Sequence, residues 1–232
     1  RNILPHAAHF RVLAIDMLGH GFTDKPARDY QVSDYVEHLH DLLDTLGLDR
    51  VHLSGESLGG WVAARFAALY PQRIKRLVLN TAGGMIADPK VMERLRTLSL
   101  NAVQNPEREA TRKRLEFLME DPSIVTEDLV ESRFAVYRLP DMPPAMASIM
   151  CLQDMEVRLK NLLTDDELGR IEAETLVLWT THDPTAPVSV GERLASLVKR
   201  SRMVVMENCG HWPQYEDPDT FNALHIDFLL NG

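Results

Sequence analysis

Two cysteines in 232 residues, Cys151 and Cys209, are too few and too far apart for a disulfide framework, and no zinc-type cysteine spacing exists. That usage suits a reducing compartment, and a cytoplasmic location is the expectation. No apolar run approaches the ~18 residues of a membrane-spanning helix, and the N-terminus lacks the charged-then-apolar layout of a signal peptide. A basic patch is missing too: 25 Lys and Arg against 34 Asp and Glu give a net charge of −9. Phosphate backbones and anionic membranes are therefore poor partners, because counterion release needs clustered cations. The densest basic stretch, Arg112-Lys113-Arg114, lies among glutamates and reads as a solvated helix face. There is no Gly-rich phosphate loop and no histidine–carboxylate metal spacing, so neither cofactor nor metal is expected.

The composition that remains, 45% hydrophobic and 25% charged, is that of an ordinary globular chain, long enough for one α/β domain with an insertion. Phe10 to Asp16 reads as a buried strand running into the turn-rich Gly19–Pro26. Ser33 is placed to cap a helix carrying Val36, Leu39, Leu42, Leu43 and Leu46, which Gly47 closes. A strand at Val51 to Ser54, an alanine-rich helix from Trp61 to Tyr70 and a buried strand at Ile74 to Asn80 follow. This alternation predicts a doubly wound, mostly parallel sheet covered on both faces. From Gly83 to Arg170 the pattern turns helical, with methionines, prolines and no convincing strand, then strands resume at Thr175–Trp179 and Arg202–Met206. Helices from about Ser189 to Val198 and from Pro218 to Leu230 complete the pattern. The expected organisation is a core in two parts, residues 1–82 and 171–232, around a helical lid, residues 83–170.

Chemistry concentrates at Gly55-Glu56-Ser57-Leu58-Gly59. A serine between glycines, straight after an apolar strand and straight before a helix, is the context of a strained nucleophile turn. A serine hydroxyl needs a base at neutral pH, and the base needs a carboxylate to orient it. Asp183 follows the strand ending at Trp179, and His211 follows the one ending at Met206, which supplies the order Ser, Asp, His. His182 adjoins the acid and precedes the last strand, so it is a poorer base. Asp16 precedes Ser57 and reads as a turn organiser. His6, His9, His38, His40, His52 and His225 are expected on surfaces or helix faces.

With these residues placed, the chain resembles the α/β-hydrolase superfamily along its length and, more narrowly, the meta-cleavage-product hydrolases. The stretches that carry the resemblance are Ala14–Gly21, the Ser57 turn, Glu131-Ser132-Arg133-Phe134 and Cys209-Gly210-His211-Trp212. It implies hydrolysis of a carbon–carbon bond in a 2-hydroxy-6-oxo-dienoate from aromatic-ring fission. Arg133 would hold the dienoate end, Phe134 and Trp212 would line the pocket, and the backbone N–H of Leu58 would serve the oxyanion hole. The family's other oxyanion donor lies on a His-Gly loop which, like its early strands, would precede Arg1, so the sequence reads as N-terminally incomplete. Where the family has Asn before the nucleophile this chain has Glu56, a substrate-facing position whose carboxylate donates no hydrogen bond unless protonated. A carboxylesterase and a non-catalytic small-ligand-binding relative stay open beside the dienoate reading. A small molecule is the expected partner; homo-oligomers occur among such enzymes by analogy only.

Overall fold

A computed structural model describes residues 1–104 and 106–232. Its strands, β1 (Val51–Glu56), β2 (Ile74–Asn80), β3 (Glu174–Thr180) and β4 (Ser201–Met206), form one parallel sheet in the order β1-β2-β3-β4. Two helices precede the sheet, α1 (Ile3–Ala7) and α2 (Val32–Thr45), and α3 (Leu58–Leu69) connects β1 to β2. Between β2 and β3 the regular elements are all helical: α4 (Pro89–Gln104), α5 (Arg108–Glu116), α6 (Glu127–Tyr137), α7 (Met142–Ile149), α8 (Met155–Asn161) and α9 (Asp165–Gly169), with short 3-10 turns. The chain closes with α10 (Val188–Leu197), α11 (Pro213–Glu216) and α12 (Pro218–Asn231).

Period-2 alternation explains the two-sided core. Leu77 and Leu79 of β2, with Val177 and Trp179 of β3, point into a cluster formed with α2, α3 and α10. Val78, Leu176 and Leu178 point the other way, onto Phe221, Phe228 and Leu229 of α12. The two large indoles of the first cluster keep their donors satisfied, Trp179 Nε1 bonding Ala186 O at 3.1 Å and Trp61 Nε1 bonding Asn161 O at 3.1 Å. Gly191 of α10 lets the helix sit directly on Trp179, since a Cβ there would come within 2.7 Å of the ring. Arg65 of α3 pairs with Glu167 at 3.0 Å and donates to Asn161 O and Leu162 O, tying the helical stretch to the sheet layer. No helix among the described residues is long and apolar enough to cross a membrane.

Two local expectations change. Phe10 to Asp16 is not a strand: Leu13 and Ile15 are exposed, and Phe10–Ile15 lines, together with β1, a cleft of about 800 Å³. A strand-like sequence becomes a strand only when its backbone groups find a ladder, and this segment has none. The cap of α2 is Gln31, not Ser33; Gln31 and Asp34 form a reciprocal capping box. His6 of α1 and His225 of α12, on helix faces as expected, are buried in a relay in which His6 Nε2 meets His225 Nδ1 at 2.9 Å and His225 Nε2 meets Ser54 Oγ at 2.8 Å.

Burial, reinforced by His6, drives His225 down to about 3. The unfolded chain therefore takes up a proton near ordinary histidine pH that the folded chain refuses, so stability falls as pH drops through that window and the loss levels off below the folded value. Urea unfolding should show a loss of about 2 kcal/mol between about pH 7 and pH 5 assignable to this residue. His225→Gln should flatten that limb, and an unchanged pH slope in the variant would contradict the assignment.

Candidate active site

The functional side chains gather at the carboxyl ends of β1, β3 and β4. Ser57 stands between β1 and α3 with φ 53° and ψ −114°, a left-handed conformation that costs a non-glycine residue of order 1–3 kcal/mol. Three backbone bonds hold it: Ser57 N donates to Asn80 O at 3.1 Å, while Trp61 N and Gly83 N donate to Ser57 O at 3.0 and 2.8 Å. The glycines do unequal steric work. A Cβ at Gly55 would collide with the Gly59 carbonyl and one at Gly60 would come within 2.6 Å of Ala82 Cβ, whereas Gly59 faces open space. Leu58 opens α3, so its N–H is among the donors a helix leaves free at its start.

Asp183 and His211 meet across the loops after β3 and β4. His211 Nδ1 and Asp183 Oδ1 are 2.9 Å apart, with the carboxylate fully buried and the imidazole nearly so. Asp183 Oδ1 also accepts from Thr185 N and Thr185 Oγ1, both at 2.8 Å, which aims the carboxylate. The histidine loop is held from several sides: His211 N donates to Leu118 O at 2.7 Å, Thr180 Oγ1 to Gly210 O at 2.7 Å, and Gly210 N to Glu216 Oε1 at 2.8 Å. Gly210 is required by close approach, because a Cβ there would lie 2.6 Å from Leu118 O.

The other face of the imidazole belongs to Glu56, whose Oε1 lies 3.1 Å from His211 Nε2 and is shielded from solvent. No hydrogen bond among the described residues joins Ser57 Oγ to His211. Burial lowers His211, but Asp183 and Glu56 outweigh it and the net shift is upward. Burial pushes the Glu56 carboxyl up to about 7, against the pull of His211, Arg114 and Arg133. Glu56 and His211 thus titrate as a coupled pair.

Glu56 also lines a cavity of about 490 Å³ with Arg133, Arg114, Trp212 and Tyr137, among others. Arg133 lies 5.7 Å from the Trp212 and Tyr137 ring centres and has no carboxylate partner among the described residues. Ser57 lies outside that lining; it borders a narrow pocket of about 60 Å³ with Gly83, Met85 and Thr185. Phe134 is a correction: it is not among the cavity residues but packs under Arg108 and Arg138. Helical spacing is the reason, since Arg133, Val136 and Tyr137 share one face of α6 and Phe134 with Arg138 shares another. Arg114 is a second correction, for it lines the cavity instead of facing solvent with Arg112 and Lys113. His182, half-exposed, bonds Thr181 at 3.0 Å, and Asp16 accepts from Phe22 N at 3.0 Å within its turn. Sequence reasoning passed over Thr185 and Glu216; the spacing Asp183-Pro184-Thr185, a side-chain-capped turn, was a signal for the first.

A buried carboxylate–imidazole pair after β3 and β4 and a strained serine after β1 lie at the same end of the sheet. The family model described as alpha/beta hydrolase fold matches residues 1–218, and the chain belongs to that family. It is an enzyme of the hydrolase class, and it is similar to hydrolases of meta-cleavage products. It is 33% identical over its whole length, and 82% of the relative's, to the 2-hydroxy-6-oxo-6-phenylhexa-2,4-dienoate hydrolase of Burkholderia cepacia. Identity is 31%, with the same coverage, to the 2-hydroxy-6-oxononadienedioate/2-hydroxy-6-oxononatrienedioate hydrolase of Comamonas testosteroni. Among solved structures, the meta-cleavage product hydrolase of Pseudomonas fluorescens superposes with a TM-score of 0.85 at 31% identity, covering 99% of this chain and 83% of that one.

Removing the Glu56 charge lowers His211, so the neutral imidazole persists to lower pH. The acid limb of the kcat/KM profile of Glu56→Gln should therefore move to lower pH than in the parent. An unmoved limb would show that Glu56 does not act on His211.

Proposed function

We propose that this chain hydrolyses the C5–C6 bond of a 2-hydroxy-6-oxo-dienoate formed by aromatic-ring fission. The observation that carries the reading is Arg133: a guanidinium without a carboxylate partner among the described residues, beside Trp212, in a cavity lined also by Glu56, which contacts His211. A planar fork of this kind suits the substrate carboxylate through two parallel hydrogen bonds. The helices α4–α9 act as the lid, and α5 and α6 supply the cavity's arginines.

In this reading a proton first moves from the 2-hydroxyl of the substrate to C5, converting the dienol to a ketone that can accept electrons. Glu56, which lines the cavity, and His211, in contact with it, shuttle that proton. Oxygen then adds to the C6 carbonyl carbon, from Ser57 or from water that Ser57 and His211 activate. The charge on the C6 oxygen is met by donors that include the N–H of Leu58. When the C5–C6 bond breaks, its electron pair stays on C5 and spreads into the conjugated ketone, leaving a carboxylic acid and a hydroxydienoate. For Ser57 to reach Nε2, the Glu56 contact has to release.

The test is the loss of absorbance of a coloured dienoate. The parent should bleach it, and Ser57→Ala should be slower by ~10³-fold or more. Full activity in that variant would remove the serine mechanism, and turnover of p-nitrophenyl esters without bleaching would establish the carboxylesterase reading instead. Arg133→Ala should raise KM by ~10-fold to 100-fold, the worth of a charge-assisted pair, while Arg133→Lys recovers only part because ammonium lacks the fork.

A further inference from the structure

His20 borders the same cavity as Glu56, Arg133 and Trp212, and the chemistry above gives it no part. Its turn is tightly built. His20 N donates to Met17 O at 2.8 Å, Gly19 N donates to Asp24 O at 3.0 Å, and a Cβ at Gly19 would collide with the Tyr30 ring. The imidazole lies 5.9 Å from the Tyr35 ring, centre to centre, and its Nδ1 is 3.0 Å from Leu18 O. A carbonyl only accepts, so Nδ1 carries the hydrogen and, in the neutral ring, Nε2 carries a lone pair. Nε2 has no hydrogen-bond partner among the described residues.

The surroundings favour that neutral ring. Burial, with Arg133 and Lys25 adding to it, holds His20 below the ordinary histidine range against the pull of the Leu18 carbonyl and Asp16. The other polar groups of the cavity serve differently: Arg114 and Arg133 only donate, and Glu56 lies against His211. The Tyr137 hydroxyl is the rival neutral acceptor. A 2-hydroxy-dienoate asks for two contacts close together, because its carboxylate suits an arginine fork and its hydroxyl, on the adjoining carbon, needs an acceptor. Arg133 is the fork assigned above, and its charge bears on His20.

We infer that His20 is a specificity-determining residue whose Nε2 accepts a hydrogen bond from the 2-hydroxyl of the substrate while Arg133 holds the neighbouring carboxylate, so that the site selects the enol form. This rests on the dienoate reading of the site. A ketone at C2 has no proton to donate and leaves Nε2 unpaired, which is the cost a site built around a hydroxyl imposes on a ligand without one.

Ser57→Ala of the full chain, expected to bind dienoates without cleaving them, provides the assay. Calorimetric titration compares a 2-hydroxy-6-oxo-dienoate with the same 6-oxo-dienoate lacking the 2-hydroxyl. The hydroxylated ligand should bind about tenfold more tightly, the worth of one buried hydrogen bond. His20→Phe in that background keeps a ring and removes the acceptor, and it should abolish the difference. His20→Gln, whose amide oxygen can accept, should restore part of it, and Tyr137→Phe should retain it. Arg133→Ala should weaken both ligands alike. Thermal melting of each variant, matched to the parent, separates these effects from unfolding. Equal binding of the two ligands, or a preference that survives His20→Phe, overturns the inference. So does an equal weakening of both ligands by His20→Phe, which would make the residue structural, and so does a preference lost in Tyr137→Phe, which would assign the hydroxyl to the tyrosine. Cleavage of the hydroxylated dienoate by the parent alongside equal binding leaves the dienoate reading standing while this one falls; a parent that neither binds nor cleaves it removes both.

Discussion

Everything at this site hangs on a single imidazole placed between two carboxylates. Asp183 holds Nδ1 of His211 at 2.9 Å and Glu56 meets Nε2 at 3.1 Å, with the imidazole and the Asp183 carboxylate buried. Low dielectric makes such contacts strong and an unpaired partner costly, so the surrounding structure is arranged to hold them. Thr185 fixes Asp183, Gly210 permits the close packing of the histidine loop on Leu118, and Glu216 ties that loop from below. The sheet matters to function because parallel strands deliver Glu56, Asp183 and His211 to one end, each from its own loop or strand terminus.

The glutamate gives this arrangement its particular character. A carboxylate on Nε2 favours the charged imidazole, which is the wrong state for a base and the right one for an acid. Burial lifts the Glu56 carboxyl to about 7 and so keeps both states within reach near neutral pH. A reaction that first delivers a proton to carbon and then needs a base for oxygen attack makes use of both. Ester hydrolysis also uses the imidazole first as base and then as acid toward the leaving group, but it has no prior proton transfer to carbon.

Much of this was legible in the amino-acid order because it depends on local pattern. β2 was marked by Ile74 and the apolar run Leu77–Leu79, the strained turn at Ser57 by a serine between an apolar strand and an alanine-rich helix, and the meeting of Asp183 with His211 by their places after successive strands. What escaped depended on contacts between distant segments. Phe10–Asp16 has strand composition, yet whether it joins a ladder is decided by its neighbour and not by its residues. Arg114 looked like one more cation in a basic helix, and only the placement of α5 over the cavity separates it from Arg112 and Lys113. Phe134 was drawn in by adjacency to Arg133, although neighbours in a helix point about 100° apart. Gly60, not Gly59, is the tight glycine on the helix side of Ser57.

The most direct measurement is product analysis after incubation of the full chain with a 2-hydroxy-6-oxo-dienoate in ¹⁸O-labelled water. The account predicts two fragments in equal amount, a hydroxydienoate without label and a carboxylic acid carrying one oxygen from solvent in its new carboxyl group. Recovery of the intact dienoate, or its loss without cleavage of the C5–C6 bond, would contradict it.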